Sequence, residues 1–181
     1  MMWLAEADLR RGDWPARDLT ELGQVSDLIP PDYPRALRIG LVDNWLEIGA
    51  GSGEPTLWAL RDILETRTSS PNECYVGFWK GGPLSNFGEP KTLDIVNSPM
   101  LLYKVPLQNL EDICVSLGGD PAHPVEPSIW WPRDRRWLAH WEWDSDSMYL
   151  GLDDETAALL LGQVGWPVTE VRRSDPYSIE G

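Results

Sequence analysis

Ile129-Trp130-Trp131-Pro132-Arg133-Asp134-Arg135-Arg136-Trp137-Leu138-Ala139-His140-Trp141-Glu142-Trp143 is the stretch on which the fold turns. Two aromatic runs flank a polar tetrad led by proline. Proline presets a turn, and an Asp carboxylate accepts hydrogen bonds from turn amides. Residues 132–135 therefore read as the connection between two neighbouring strands, 129–131 and 136–143. Strand side chains alternate between faces. Trp137, Ala139, Trp141 and Trp143 share one face. Arg136, Leu138, His140 and Glu142 share the other, followed by Asp144 and Asp146 if the extension continues.

Working outward, 148–152 reads as the next strand. Asp153 is placed to cap a helix over 154–161 with acids in its first turn. A last short strand is expected near 168–171, before a polar tail over 173–181. Upstream, Leu37, Ile39 and Leu41 alternate with Arg38 and Gly40 in a half-buried strand pattern. Leu57, Leu60 and Leu64 lie on one face of a helix over 55–67. Residues 73–80, 92–96 and 100–105 read as strands, and 106–117 as a helix stopped by Gly118-Gly119. Three prolines between 30 and 34 exclude a helix there. The segment 1–27 reads as polar and helical, with Pro15 at a helix start before 16–24. Strands in neighbouring groups with irregularly placed helices predict a single α+β domain over 1–181. Its sheet is expected to be mainly antiparallel and twisted, with helices packed on one face.

The composition fits a folded chain with an unusual surface. Its 181 residues carry 29 Asp+Glu against 15 Lys+Arg, a net charge of -14, and 11 Trp beside only 2 Phe. A hydrophobic content of 42% is enough to bury a core and excludes a disordered acidic tail. Strong acidity argues against duplex nucleic acid, whose phosphates need a basic footprint. No apolar run reaches the length of a membrane span, and the first residues lack the basic and apolar regions of a secretory signal. Two cysteines, Cys74 and Cys114, are too few for a disulfide framework. A cytoplasmic protein with reduced thiols is expected.

The aromatic hairpin has two readings. In one, its tryptophans form the core between sheet and helices, as large aromatics generally do. In the other they form a binding surface, because Trp and Arg are enriched at interface hot spots. Arg133, Arg135 and Arg136 would then stack on Trp faces. The stretch after it is acidic, with no Lys or Arg between Arg136 and Arg172. Together the two stretches nominate Trp130, Trp131, Arg133, Arg135, Arg136, Trp137, Glu142, Asp144 and Asp146 as a surface for a basic protein partner. Self-association is left open. Glu142, Asp144 and Asp146 also suggest a divalent cation, although the EF-hand spacing is absent.

A second local motif is Leu46-Glu47-Ile48-Gly49-Ala50-Gly51-Ser52-Gly53-Glu54-Pro55, followed by a helix. It resembles the first motif of class I S-adenosylmethionine-dependent methyltransferases. The resemblance implies a cofactor loop formed by Glu47, Gly49, Gly51 and Gly53, on a parallel sheet. The later part of that pattern is missing. The strand over 73–80 ends Gly77-Phe78-Trp79-Lys80, without the acid that holds ribose hydroxyls in dinucleotide folds. No cofactor is therefore assigned.

A longer resemblance runs over residues 28–152. Trp131-Pro132-Arg133-Asp134-Arg135-Arg136-Trp137, an acidic stretch and then Tyr149-Leu150-Gly151 resemble the signature of a family of small actinobacterial proteins. Trp45 to Ile48 and Cys74 to Gly81 resemble its upstream elements. Leu138-Ala139 and Leu150 depart from its usual residues. The resemblance implies a shared fold and bacterial origin, and no catalytic residue.

The remaining chemistry is sparse. Cys74, Cys114, His123 and His140 match no zinc spacing. Gly51-Ser52-Gly53 falls short of a nucleophile elbow. Cys114 belongs to a helix's apolar side. The sequence thus predicts a non-enzymatic binding module, with the methyltransferase reading as rival.

Overall fold

The computed structural model describes residues 2–3, 23–41, 45–46, 55–84, 92–95, 98–119, 124–142 and 145–177. In chain order the elements are β1 (Met2–Trp3), α1 (Val25–Leu28), β2 (Arg35–Gly40), α2 (Leu57–Glu65), β3 (Cys74–Trp79), β4 (Thr92–Ile95) and β5 (Ser98–Val105). A 3₁₀ turn (Leu107–Asn109) leads into α3 (Leu110–Gly118). Then come β6 (Ile129–Pro132), β7 (Trp137–Trp141), β8 (Ser147–Leu152), α4 (Asp154–Leu161) and β9 (Val168–Glu170).

The strands form one nine-stranded sheet in the order β1-β5-β3-β6-β7-β8-β2-β9, with β4 also paired to β5. Every pairing among the described residues is antiparallel. This is the α+β class with an antiparallel sheet that the sequence pattern predicts. β6 lies between β3 and β7, so the aromatic hairpin is the centre of the sheet rather than an edge. Both outer edges are short, which limits the unpaired backbone open to another strand.

Side-chain parity sorts the strands into two cores. Val76, Phe78, Trp130, Trp137, Ala139, Trp141 and Leu150 face one side, where Leu57, Leu60 and Leu64 of α2, Ile113, Cys114 and Leu117 of α3, and Ala157 and Leu160 of α4 cover them. Tyr75, Ile129, Trp131, Leu138 and Tyr149 face the other. They are covered by Val25 and Leu28 of the one-turn α1, by Ile29 and Tyr33, and by Tyr177. The three longer helices thus share one face of the sheet, and α1 lies on the opposite one. Thr56 caps α2 by accepting from the Ala59 amide at 3.1 Å. Asp153 caps α4 by accepting from the Thr156 amide at 2.8 Å.

Two expectations about the chain ends change. Met2 and Trp3 pair with Lys104 and Tyr103 as a strand, while the expected helix over 16–24 lies largely outside the described residues. The expected polar tail begins as a docked segment. Asp175 accepts from the Val25 amide at 3.0 Å, and the Tyr177 amide donates to Gly23 at 3.1 Å. The Arg173 guanidinium donates to the carbonyls of Ile29, Pro30 and Tyr33. Charged donors gathering three carbonyls close the second core.

Candidate functional site

The hairpin resolves in favour of the core. Trp130 and Trp137 are 0% exposed and Trp131 is 4% exposed, so none of the three offers a contact surface. The reason is position: a central hairpin has both faces covered. Trp130 and Trp137 meet edge to face at 5.1 Å. The Trp137 indole donates to the Leu64 carbonyl at the end of α2, 2.9 Å away. Trp131 packs on Tyr75 at 5.5 Å.

The arginines of the turn are engaged with this chain's own groups. Arg133 donates to both oxygens of Glu73, at 2.9 and 3.0 Å, and Lys104 joins them at 2.7 Å. These hydrogen bonds hold the Glu73 carboxyl below its usual pKa. Arg136 pairs with Asp153 at 2.9 Å. Arg135 adopts a left-handed φ of 55°, which a non-glycine residue takes only in a tightly determined turn. Asp134 holds that turn. Its carboxylate accepts from the Ser69 amide and hydroxyl and from the Thr68 hydroxyl at 2.7–2.8 Å. It also accepts from the Arg136 amide at 3.3 Å. Burial pushes the Asp134 pKa up, but the hydrogen bonds from Ser69 and Thr68 outweigh it and hold the carboxyl below its usual range.

The acidic stretch is not a bare negative surface. Asp146 faces Arg38 at 3.9 Å, Asp154 faces Arg35 at 3.5 Å, and Glu155 meets Arg67 at 2.6 Å. Arg35 also bonds Glu170. The sequence run without a base misled because the cations come from other elements. β2 pairs with β8, setting Arg38 opposite Tyr149 and Arg35 opposite Leu152. Glu142 turns to His140 instead, with its Oε1 3.1 Å from Nε2. The His140 Nδ1 lies 3.2 Å from the Leu28 carbonyl. Both ring nitrogens therefore face oxygen atoms, tying β7 to α1. Asp144 lies outside the described residues. Among those residues, no group of three or more His, Cys, Asp or Glu is placed to hold a metal ion.

Glu47, Gly49, Gly51 and Gly53 also lie outside the described residues. Trp45 and Leu46, just before them, form a turn. That turn is fixed to α2: the Leu57 amide donates to Trp45 at 2.9 Å, and the Trp58 indole donates to Leu46 at 3.2 Å. The parallel sheet implied by a methyltransferase resemblance is not what the described strands form. Cys74 and Cys114 are buried on the helix-covered side. Burial pushes the Cys74 thiol up to about 12 and Cys114 higher still, so both stay neutral and unreactive near neutral pH. No described helix is long and apolar enough to cross a membrane.

A cavity of about 380 Å³ opens where β3 and β7 end and β6 begins. Phe78, Trp79, Leu84, Val125 and Trp141 line it, and Gly118 brings the end of α3 into its wall. Ser128 fixes the strand ends around it. Its hydroxyl accepts from the Trp79 amide at 3.2 Å, and its carbonyl accepts from the Trp141 amide at 2.7 Å. Glu126 is the ionisable residue among the described lining. Burial raises its carboxyl pKa from 4.5 to about 7. Sequence reading missed Glu126 because it sits in a proline-rich loop. The only local signal is an acid between Val125 and Pro127.

No known protein family, no curated protein and no solved structure matches this chain.

Proposed function

We propose that this chain is a non-enzymatic protein-binding module, of the inhibitor or immunity type, that engages and neutralises a strongly basic protein. The supporting observation is the solvent side of α2 and α3. It presents Asp62, Glu65, Glu111 and Asp112, and Arg61 is the one Lys or Arg on these two helices. That cation is already engaged, 2.7 Å from Asp62 and 3.9 Å from Glu111. Elsewhere Arg35, Arg38, Arg67, Arg133, Arg136 and Lys104 also bind carboxylates of their own chain. With these cations already paired, the four acids of the helical layer stand against Arg61 alone and keep it negative. Such a field steers a basic partner and disfavours acidic ones. The candidate interface therefore moves from the aromatic hairpin to the helical layer.

Zero-length carbodiimide cross-linking in extract of the source cells tests the proposal, since it joins carboxylates to lysine amines directly. The expected product is one basic protein cross-linked through Asp62, Glu65, Glu111 or Asp112, and lost in an Asp62→Lys/Glu65→Lys/Asp112→Lys variant. A partner cross-linked elsewhere and retained by that variant overturns it, as does the absence of any basic partner.

A further inference from the structure

We propose that the cavity at the β3–β7 end of the sheet is a binding site for a small organic ammonium with an apolar, aromatic-sized body, held by the carboxylate of Glu126. This site is separate from the acidic helix face and does not rest on the protein-binding proposal.

Three independent features converge on that ligand class. First, the walls are apolar and aromatic, with Phe78, Trp79 and Trp141 among the lining residues. Aromatic rings attract cations through their quadrupole. Second, the cavity is within the size range of small-molecule sites, at about 380 Å³. A body the size of one aromatic ring is well within that volume. Third, both electrostatic features of the wall are negative. Glu126 has no hydrogen-bond or ion-pair partner among the described residues, unlike Asp134 or Glu73, whose oxygens are taken. The carboxyl end of α3 reaches the same wall at Gly118, and no basic side chain lies in its last turn. The negative end of the helix dipole adds to the preference for a cation.

The Ser128 groups at the site are occupied. The Ser128 hydroxyl and carbonyl are used by Trp79 and Trp141. The Cys114 thiol, close by on α3 and electrostatically linked to Glu126, is kept neutral by its burial. An incoming ammonium therefore finds one carboxylate in the described lining, and it is not committed to a partner among the described residues. An uncharged apolar ligand would cover the half-buried Glu126 and leave it unpaired, which costs it affinity. An anionic ligand would meet repulsion from both the carboxylate and the helix end.

Binding also has a proton signature. The carboxyl is raised by burial, so part of the population is protonated near neutral pH. An ammonium binds the ionised form and expels that proton, and its affinity rises as pH increases through about 7.

Isothermal titration calorimetry with 2-phenylethylammonium tests the assignment, with 2-phenylethanol as the uncharged counterpart. The expected result is saturable one-to-one binding with a Kd of about 1 mM or tighter. Proton release should appear as a dependence of the heat on buffer ionisation enthalpy. Glu126→Gln should weaken the ammonium by about tenfold or more and leave 2-phenylethanol little changed. N-acetyl-lysinamide, which carries the same charge as a protein side chain would, should bind more weakly than the aromatic amine. The proposal is overturned if the amine does not saturate, if Glu126→Gln binds it equally well, or if the alcohol matches it in the wild type. Tighter binding of N-acetyl-lysinamide would likewise overturn it, by assigning the cavity to a partner's lysine. The alcohol comparison uses the unaltered protein, so it stands whether or not the variant folds.

Discussion

At the scale of single residues, two carboxylates show opposite physics. Glu126 is raised above its ordinary pKa by burial, so the folded state binds more protons than the unfolded chain between pH 4.5 and about 7. Stability therefore falls as pH rises through that window, and the cost is complete above it. Glu126→Gln removes the cost. Urea denaturation should find it more stable than wild type by roughly 2–3 kcal/mol at about pH 8, and equal to it near the unfolded carboxyl pKa. Equal stabilities at both pH values would refute the raised carboxyl. Asp134 is the reverse case, a carboxylate held low by donors from Ser69 and Thr68. Asp134→Ala strands those donors and frees the left-handed turn at Arg135, so a loss of about 1–3 kcal/mol is expected in the same assay. The sequence disclosed one of these residues and not the other. Asp134 follows Pro132 in a polar tetrad, and its turn role is local chemistry. Glu126 owes its enclosure to the end of α3 and the ends of β3 and β7, and no spacing within the loop encodes that enclosure.

At the scale of elements, the Trp131–Trp137 hairpin reads as architecture. Trp131 and Trp137 fill opposite cores, Asp134 ties the turn to the α2–β3 connection, and Arg135 takes the left-handed conformation. Gly151 completes it: a Cβ there would meet the Tyr33 ring at 2.7 Å. Gly151→Ala must displace that ring from a packed core, at a cost of about 1–3 kcal/mol. A Tm unchanged from wild type would contradict this close packing. Asp153→Ala should cost about 1 kcal/mol through loss of the α4 cap, measured by chemical denaturation. The alternation over 137–141 correctly assigned the faces of Trp137, Ala139 and Trp141. It left the environment of the other face open, because period 2 separates two faces without saying what covers each. The cover comes from α1 and its following residues and from Tyr177, which lies in the segment whose composition reads as a polar tail.

At the scale of the whole molecule, charge follows topology. The base-free stretch after Arg136 is compensated because β2 and the end of α2 bring Arg35, Arg38 and Arg67 across to it. These exposed pairs contribute little to folding, so Arg35→Ala or Arg38→Ala should lower stability by no more than about 1 kcal/mol. Their larger effect is to engage the cations, so that on the helical layer Asp62, Glu65, Glu111 and Asp112 face Arg61 alone and leave a negative surplus. Net charge was legible in the composition, and its placement required the fold. Recognition of a basic protein by that layer is tested most directly by stopped-flow association of this chain with its cross-linked partner, measured from low to physiological salt. Electrostatic steering predicts a rate that falls steeply with added salt. It also predicts a rate about tenfold or more lower for Asp62→Lys/Glu65→Lys/Asp112→Lys at low salt. A rate insensitive to salt and unchanged in that variant would contradict it.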